Sequence, residues 1–186
     1  MKGVVFVEFL EMVEAKFSPE MLEEIIEEAQ LPNGGAYTSV GTYDHREIYR
    51  LVTALSGAAQ LPIAQLLRDF GAHLFPRLVA SHQEIVRSKT TSALDFLLGI
   101  ERHVHAEVRK LYPDAELPSI GARMHGPRKL IVEYSSTRAL ADLAHGLLFG
   151  CVAYFGEAIT IERRDLDGEA NAHTLFVLTR ADGWIR

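Results

Sequence analysis

The feature that most constrains this chain is a change of hydrophobic period at Tyr112-Pro113. Before it, apolar residues recur every three or four positions, the spacing of helices with one buried face. After it, short stretches alternate apolar and polar residue by residue, the spacing of strands. Helices end at or before the residue preceding a proline, so the pair marks a real boundary. The pattern predicts an α+β fold: a helical N-terminal subdomain, then a C-terminal subdomain with about four antiparallel strands and a helix. With 186 residues and no internal repeat or long linker, the chain is expected to form one domain.

Individual elements follow from local signals. Val4, Val5, Phe6, Phe9, Leu10, Met12 and Val13 predict a buried first helix. Ser18-Pro19-Glu20 is a helix start, with Ser as N-cap and Pro in the first position, for a helix to about residue 30. A loop at 32–35 and a short extended piece around 37–43 come next. Asp44 with Glu47 reads as a capping pair for a helix to about residue 56. Leu61-Pro62 opens another to about residue 75, and a further helix covers roughly 77–87. Residues 92–111 form the longest predicted helix. Strands are expected at 117–124 and 130–134, joined by His125-Gly126-Pro127-Arg128. A helix over 138–155 and strands at 158–164 and 174–179, with a polar turn at 165–171, complete the chain.

Composition excludes several functions. Lys and Arg number 19 against 25 Asp and Glu, a formal net charge of −6, which argues against a nucleic-acid partner. Cys151 is the single cysteine, so neither an internal disulfide nor a thiolate zinc site can form. The longest uncharged apolar run, 143–155, is too short to span a membrane. Glu8, Glu11 and Glu14 interrupt the apolar N-terminus and no small-residue cleavage site follows, so a cytoplasmic location is expected. Asp44-His45 and Glu8/Glu11 supply carboxylates and an imidazole, but no nucleophile has a placed base and no glycine-rich phosphate loop is present. An enzyme is not expected.

The eight histidines narrow to one candidate. On a helical wheel Leu94, Leu97, Leu98, Val104, Val108, Leu111 and Tyr112 share a broad face that includes His105, while His103 lies opposite. Residues two apart on a helix do not face each other, so His103 and His105 are a poor chelating pair. Glu101 is an unexplained charge within the apolar arc. A lone histidine on such a face is either a core residue with one hydrogen bond or the neutral imidazole that a heme iron requires. Tyr134-Ser135-Ser136-Thr137-Arg138 is the second feature. On an extended segment Tyr134, Ser136 and Arg138 point the same way, presenting two hydroxyls and a guanidinium suited to a pair of carboxylates. The alternative is a strand-to-helix corner in which Ser136 or Thr137 caps the next helix.

Taken together these residues resemble the H-NOX family, the heme–nitric oxide/oxygen binding domains that include the heme domain of soluble guanylate cyclase. The resemblance runs through Met1-Lys2-Gly3-Val4-Val5, Ala29-Gln30-Leu31, Tyr43-Asp44 and Phe70-Gly71. It continues with His105 seven residues before Tyr112-Pro113, Pro118, Tyr134-x-Ser136-x-Arg138 and Gly146-Leu147-Leu148. It implies heme b between the two subdomains, with a helical lobe of about 1–60 and a heme-ligating lobe of about 61–186. It implies His105 as the axial iron ligand, Tyr134, Ser136 and Arg138 on the propionates, and Pro118 pressing on the heme.

Family members that hold oxygen place a tyrosine on the distal side, five residues after the motif arginine. Here that position is Leu143, and the other distal positions match Phe9 and Leu74. Only a register shift of one residue would bring His73 into that pocket. The resemblance therefore implies an apolar pocket that takes NO and CO and binds O₂ poorly, with release of His105 as the switch. With few residues after the last strand, no effector module is expected in this chain. The resemblance is thus to stand-alone bacterial sensors that regulate a separate histidine kinase or cyclic-di-GMP enzyme.

Overall fold

In a computed structural model, which describes residues 1–81, 91–168 and 172–181, the helical and stranded halves lie where the change of period puts them. Helix α1 (Gly3–Lys16) buries Phe6, Phe9, Met12 and Val13. Its start is pressed against residues 38–43: a Cβ on Gly3 would stand 1.9 Å from the Thr38 carbonyl oxygen. The extended piece expected there contributes a single bridge, Lys2 with Thr42. Helix α2 (Pro19–Ala29) is capped as expected, Ser18 Oγ accepting the Met21 N–H at 3.1 Å. At helix α3 (Arg46–Ala59), Asp44 accepts the Arg46 N–H at 2.9 Å. Glu47 does not reach back as a capping partner; it accepts the Tyr37 hydroxyl at 2.7 Å instead.

Helix α4 (Ile63–Ser81) corrects the expected break near residue 76, because it runs through Pro76. An internal proline costs an N–H bond and crowds the preceding turn. The cost is offset by close packing on helix α7 (Ala141–Phe155). A Cβ on Gly71 would lie 2.4 Å from the Leu143 carbonyl oxygen, one on Gly146 would lie 2.1 Å from that of Arg68, and one on Gly150 would lie 2.6 Å from Phe75 Cβ. Asp142 accepts from Arg68 at 2.8 Å and from Arg163 at 2.7 Å, joining the two helices to the sheet. The remainder of the helix expected at 77–87 falls outside the described residues.

The helix expected at 92–111 is continuous but not uniform. Ser92 caps helix α5 (Ala93–Gly99), which passes into a π-helical turn, Ile100–His105, and then into helix α6 (Ala106–Leu111). Strands β1 (Ser119–Met124), β2 (Lys129–Ser135), β3 (Ile159–Asp165) and β4 (His173–Arg180) form one antiparallel sheet in the order β1-β2-β4-β3. Gly126, at φ +75°, turns the β1–β2 hairpin, closed by the His125 N–H on Lys129 O at 2.7 Å. Residues 169–171 of the expected polar turn lie outside the described residues.

Helix α7 begins at Ala141, three residues later than the periodicity suggests. Ala139 sits at φ +45°, in the left-handed region that a helix cannot contain. Two hydrophobic clusters result: one of α1–α3 with the first part of α4 and Leu143 of α7, the other of α5, the sheet, the end of α4 and the other buried apolar residues of α7. Leu147 packs against both. Among the described residues no helix is long and apolar enough to cross a membrane.

Candidate functional site

The π-helical turn carries His105 and arranges its surroundings. The His105 side chain is 12% exposed, and its Nδ1 lies 2.8 Å from Glu101 Oε2. A carboxylate only accepts, so Nδ1 donates in this contact and Nε2 is the ring nitrogen left over for a ligand. Nε2 has no hydrogen-bond partner among the described residues. The other Glu101 oxygen takes the Arg109 guanidinium. Burial alone would raise the Glu101 pKa; the bonds from Arg109 and His105 outweigh that and hold it below the ordinary carboxylate range. The charge that interrupted the apolar arc is therefore the histidine's partner.

The expected face is also narrower than the wheel suggests. Phe96 turns inward against Phe75, ring centroids 5.5 Å apart, and Leu98 is left 40% exposed. Past the π-helical turn, whose bonds span one residue more than α-helical ones, Leu111 is 61% exposed. Gly99 opens that turn: a Cβ there would meet the His103 ring at 2.7 Å.

At the end of β2 the alternation persists past the last paired residue. Tyr134 is buried and Ser136 and Arg138 are half-buried, whereas Glu133, Ser135 and Thr137 face solvent. Burial raises the Tyr134 pKa, against the pull of Ser136, the Leu140 backbone and Arg138. Ser136 Oγ accepts the Arg138 N–H at 3.1 Å, so it closes the corner. Neither it nor Thr137 caps α7, whose N-cap position is Leu140 with no side-chain bond. The Arg138 side chain is only 11% exposed, yet it grips the carboxylate of Glu116, which is 81% exposed. The only signal of Glu116 in the sequence is an acid two residues before Pro118, which stands half-buried at the entry to β1. Tyr49 of α3 donates its hydroxyl to the carbonyls of Arg138 and Ala139, the latter at 2.8 Å. Burial, with Tyr134 and Asp142 nearby, pushes the Tyr49 hydroxyl up to about 12.

Phe9, Leu74 and Leu143 come together in one buried cluster. Phe9 meets Phe70 edge-on at 5.1 Å, and Leu74 follows one turn later on that face. His73 lies one residue off, with Arg77, which pairs with Glu8 at 2.6 Å. Burial, Arg77 and Lys16 lower the His73 basicity. Glu8 and Asp44, the carboxylates considered for catalysis, thus serve an ion pair and a helix cap. His145 stacks on Phe149 with ring centroids 4.6 Å apart. Among the described residues no three His, Cys, Asp or Glu side chains converge on a metal position.

The family model described as Haem-NO-binding matches residues 2–163. The chain belongs to this family. Its fold is that of bacterial H-NOX proteins, domains that bind heme. The crystal structure of the Fe(II) unliganded H-NOX protein from K. algicida superposes with a TM-score of 0.92 at 32% identity, covering 100% of both chains. An H-NOX protein from S. oneidensis in the Fe(II)NO ligation state superposes with a TM-score of 0.89 at 27% identity, covering 98% of this chain and 100% of that one. The IWP-051-bound H-NOX from Shewanella woodyi in the Fe(II)CO ligation state superposes with a TM-score of 0.84 at 38% identity, covering 100% of this chain and 97% of that one.

Proposed function

We propose that this protein is a heme-based gas sensor that binds heme b through His105, takes NO and CO in preference to O₂, and signals to a separate protein. The observation that carries the reading is the placement of His105: Nδ1 is hydrogen-bonded to Glu101 and Nε2 has no hydrogen-bond partner among the described residues, with the side chain 12% exposed. An imidazole whose other ring nitrogen is fixed by a carboxylate is the arrangement metal-binding histidines use. The Arg138–Glu116 pair supports the second half of the site. Glu116 is a solvent-facing carboxylate on a buried guanidinium, and a propionate has the same head group. Arg138, with the hydroxyls of Tyr134 and Ser136, would exchange one carboxylate for another.

When bound, heme supplies the ferrous iron to which the diatomic gas attaches. Everything else falls to this chain's residues. His105 would hold the iron, and its release on NO binding would free the segment from Ile100 to Leu111 to move. Pro118, beside the start of β1, would press on a bound heme. Phe9, Leu74 and Leu143 keep the distal side free of hydrogen-bond donors, and a polar iron–oxygen bond gains most from such a donor. The lobes at about 1–60 and 61–186 are the bodies whose relative placement carries the signal. The separate protein is a histidine kinase or a cyclic-di-GMP enzyme in the cytoplasm, and the chain itself is a sensor rather than a catalyst.

An absorbance spectrum of the purified ferrous protein tests the reading. The expected result is an intense Soret band, lost in His105→Ala unless imidazole is supplied, that shifts with NO and CO and is indifferent to air. A colourless protein after expression with heme precursor would favour a heme-free interaction domain of the same fold. A stable oxygen complex would sink the stated gas preference.

A further inference from the structure

Glu101 is a charged residue on a helix face otherwise given to Leu94, Leu97 and Val104. A half-buried charge is retained at a cost unless it is paired. Here the two oxygens have different partners, Oε2 toward His105 Nδ1 at 2.8 Å and Oε1 toward Arg109. The i,i+4 spacing within the π-helical turn makes the first contact, and Arg109 reaches the same carboxylate from α6. A carboxylate on the ring nitrogen opposite the donor nitrogen gives an imidazole imidazolate character and strengthens its bond to a metal. A guanidinium on that carboxylate withdraws charge and moderates the effect.

We propose that Glu101 and Arg109 form a two-residue control on the strength of the His105–iron bond, Glu101 tightening it and Arg109 limiting the tightening. The inference rests on His105 being the heme ligand. These are positioning residues that touch the ligand or its partner and not the gas. Glu101 makes release of His105 harder, so it fixes how much NO the sensor needs before it switches. A purely structural role for the trio would give no opposed response at the iron.

The test is resonance Raman spectroscopy of the heme-loaded ferrous protein, reading the iron–histidine stretching frequency. The expected result is a downshift in Glu101→Gln, an upshift in Arg109→Gln, and return toward the original frequency in Glu101→Asp. The NO complex should follow, with more five-coordinate species in Glu101→Gln and less in Arg109→Gln. Arg109 is 46% exposed, so its variant remains informative if Glu101→Gln does not fold. Heme-loaded protein with an unchanged frequency in Glu101→Gln, or in Arg109→Gln where only that variant folds, overturns the proposal and leaves His105 as the ligand. Loss of no iron–histidine band in His105→Gly overturns the ligand assignment and this proposal with it.

Discussion

Arg138 concentrates the chemistry of the motif: a buried cation, reached through a hydroxyl-closed corner, already engaged with a carboxylate. Arg138→Gln removes a charge-assisted bond worth about 1.5–3 kcal/mol and should speed heme loss about 10- to 100-fold, measured by transfer to excess apo-globin. Leu143→Tyr places a hydroxyl in the distal cluster, and its expected outcome is a detectable oxygen complex in aerobic buffer, read by absorbance. His145 supplies a pH test. Burial first, then Arg163 and Arg68, lower its basicity in the folded chain, against Asp142 and Asp165. The unfolded chain binds the proton more readily, so stability is full above the unfolded histidine value of about 6.5 and falls as pH drops toward the folded value. Urea midpoints at pH 7.5 and pH 5 should differ, and His145→Gln should reduce the difference. At this scale the sequence was legible where period two decides, as at Tyr134, Ser136 and Arg138. Glu101 and Glu116 were not, because the partner of a carboxylate is a tertiary fact.

At the scale of elements, caps and alternation carried most of the information. Ser18 and Ser92 start helices because their side chains accept N–H groups three residues on, and Ser18-Pro19-Glu20 announces the first of these caps in the chain. Pro76 misled, because its penalty is local while the packing that offsets it comes from α7, distant in sequence. The π-helical turn was hidden for a related reason. A wheel at a fixed angle cannot show an inserted residue, although Gly99 and the misplaced Glu101 were its two traces. The α4–α7 crossing makes a sharp prediction. The atom that a Cβ on Gly146 would meet, 2.1 Å away, is backbone, so Gly146→Ala forces the helices apart. A loss of about 1–3 kcal/mol is expected, from urea unfolding. Since Leu74 and Leu143 sit on those two helices, the variant's CO-binding rate should change as well.

Across the whole molecule, the two hydrophobic clusters share only a narrow seam along α4 and α7, with Leu147 in both. A heme held by His105 and by Arg138 would tie the π-helical turn to the end of β2. Anything bound only by the folded state adds stability by mass action. Removing heme should therefore lower the melting temperature, and calorimetry of apo and loaded protein checks it. The tie between the helical half and the sheet at Arg138 has a different character. Tyr49 holds the main-chain carbonyls of residues 138 and 139, and no side chain there takes part. Variation at either position can alter what the corner binds without loosening its attachment to α3. The join is thus robust to change in its own neighbourhood and vulnerable at one remote atom, the hydroxyl that Tyr49→Phe would delete.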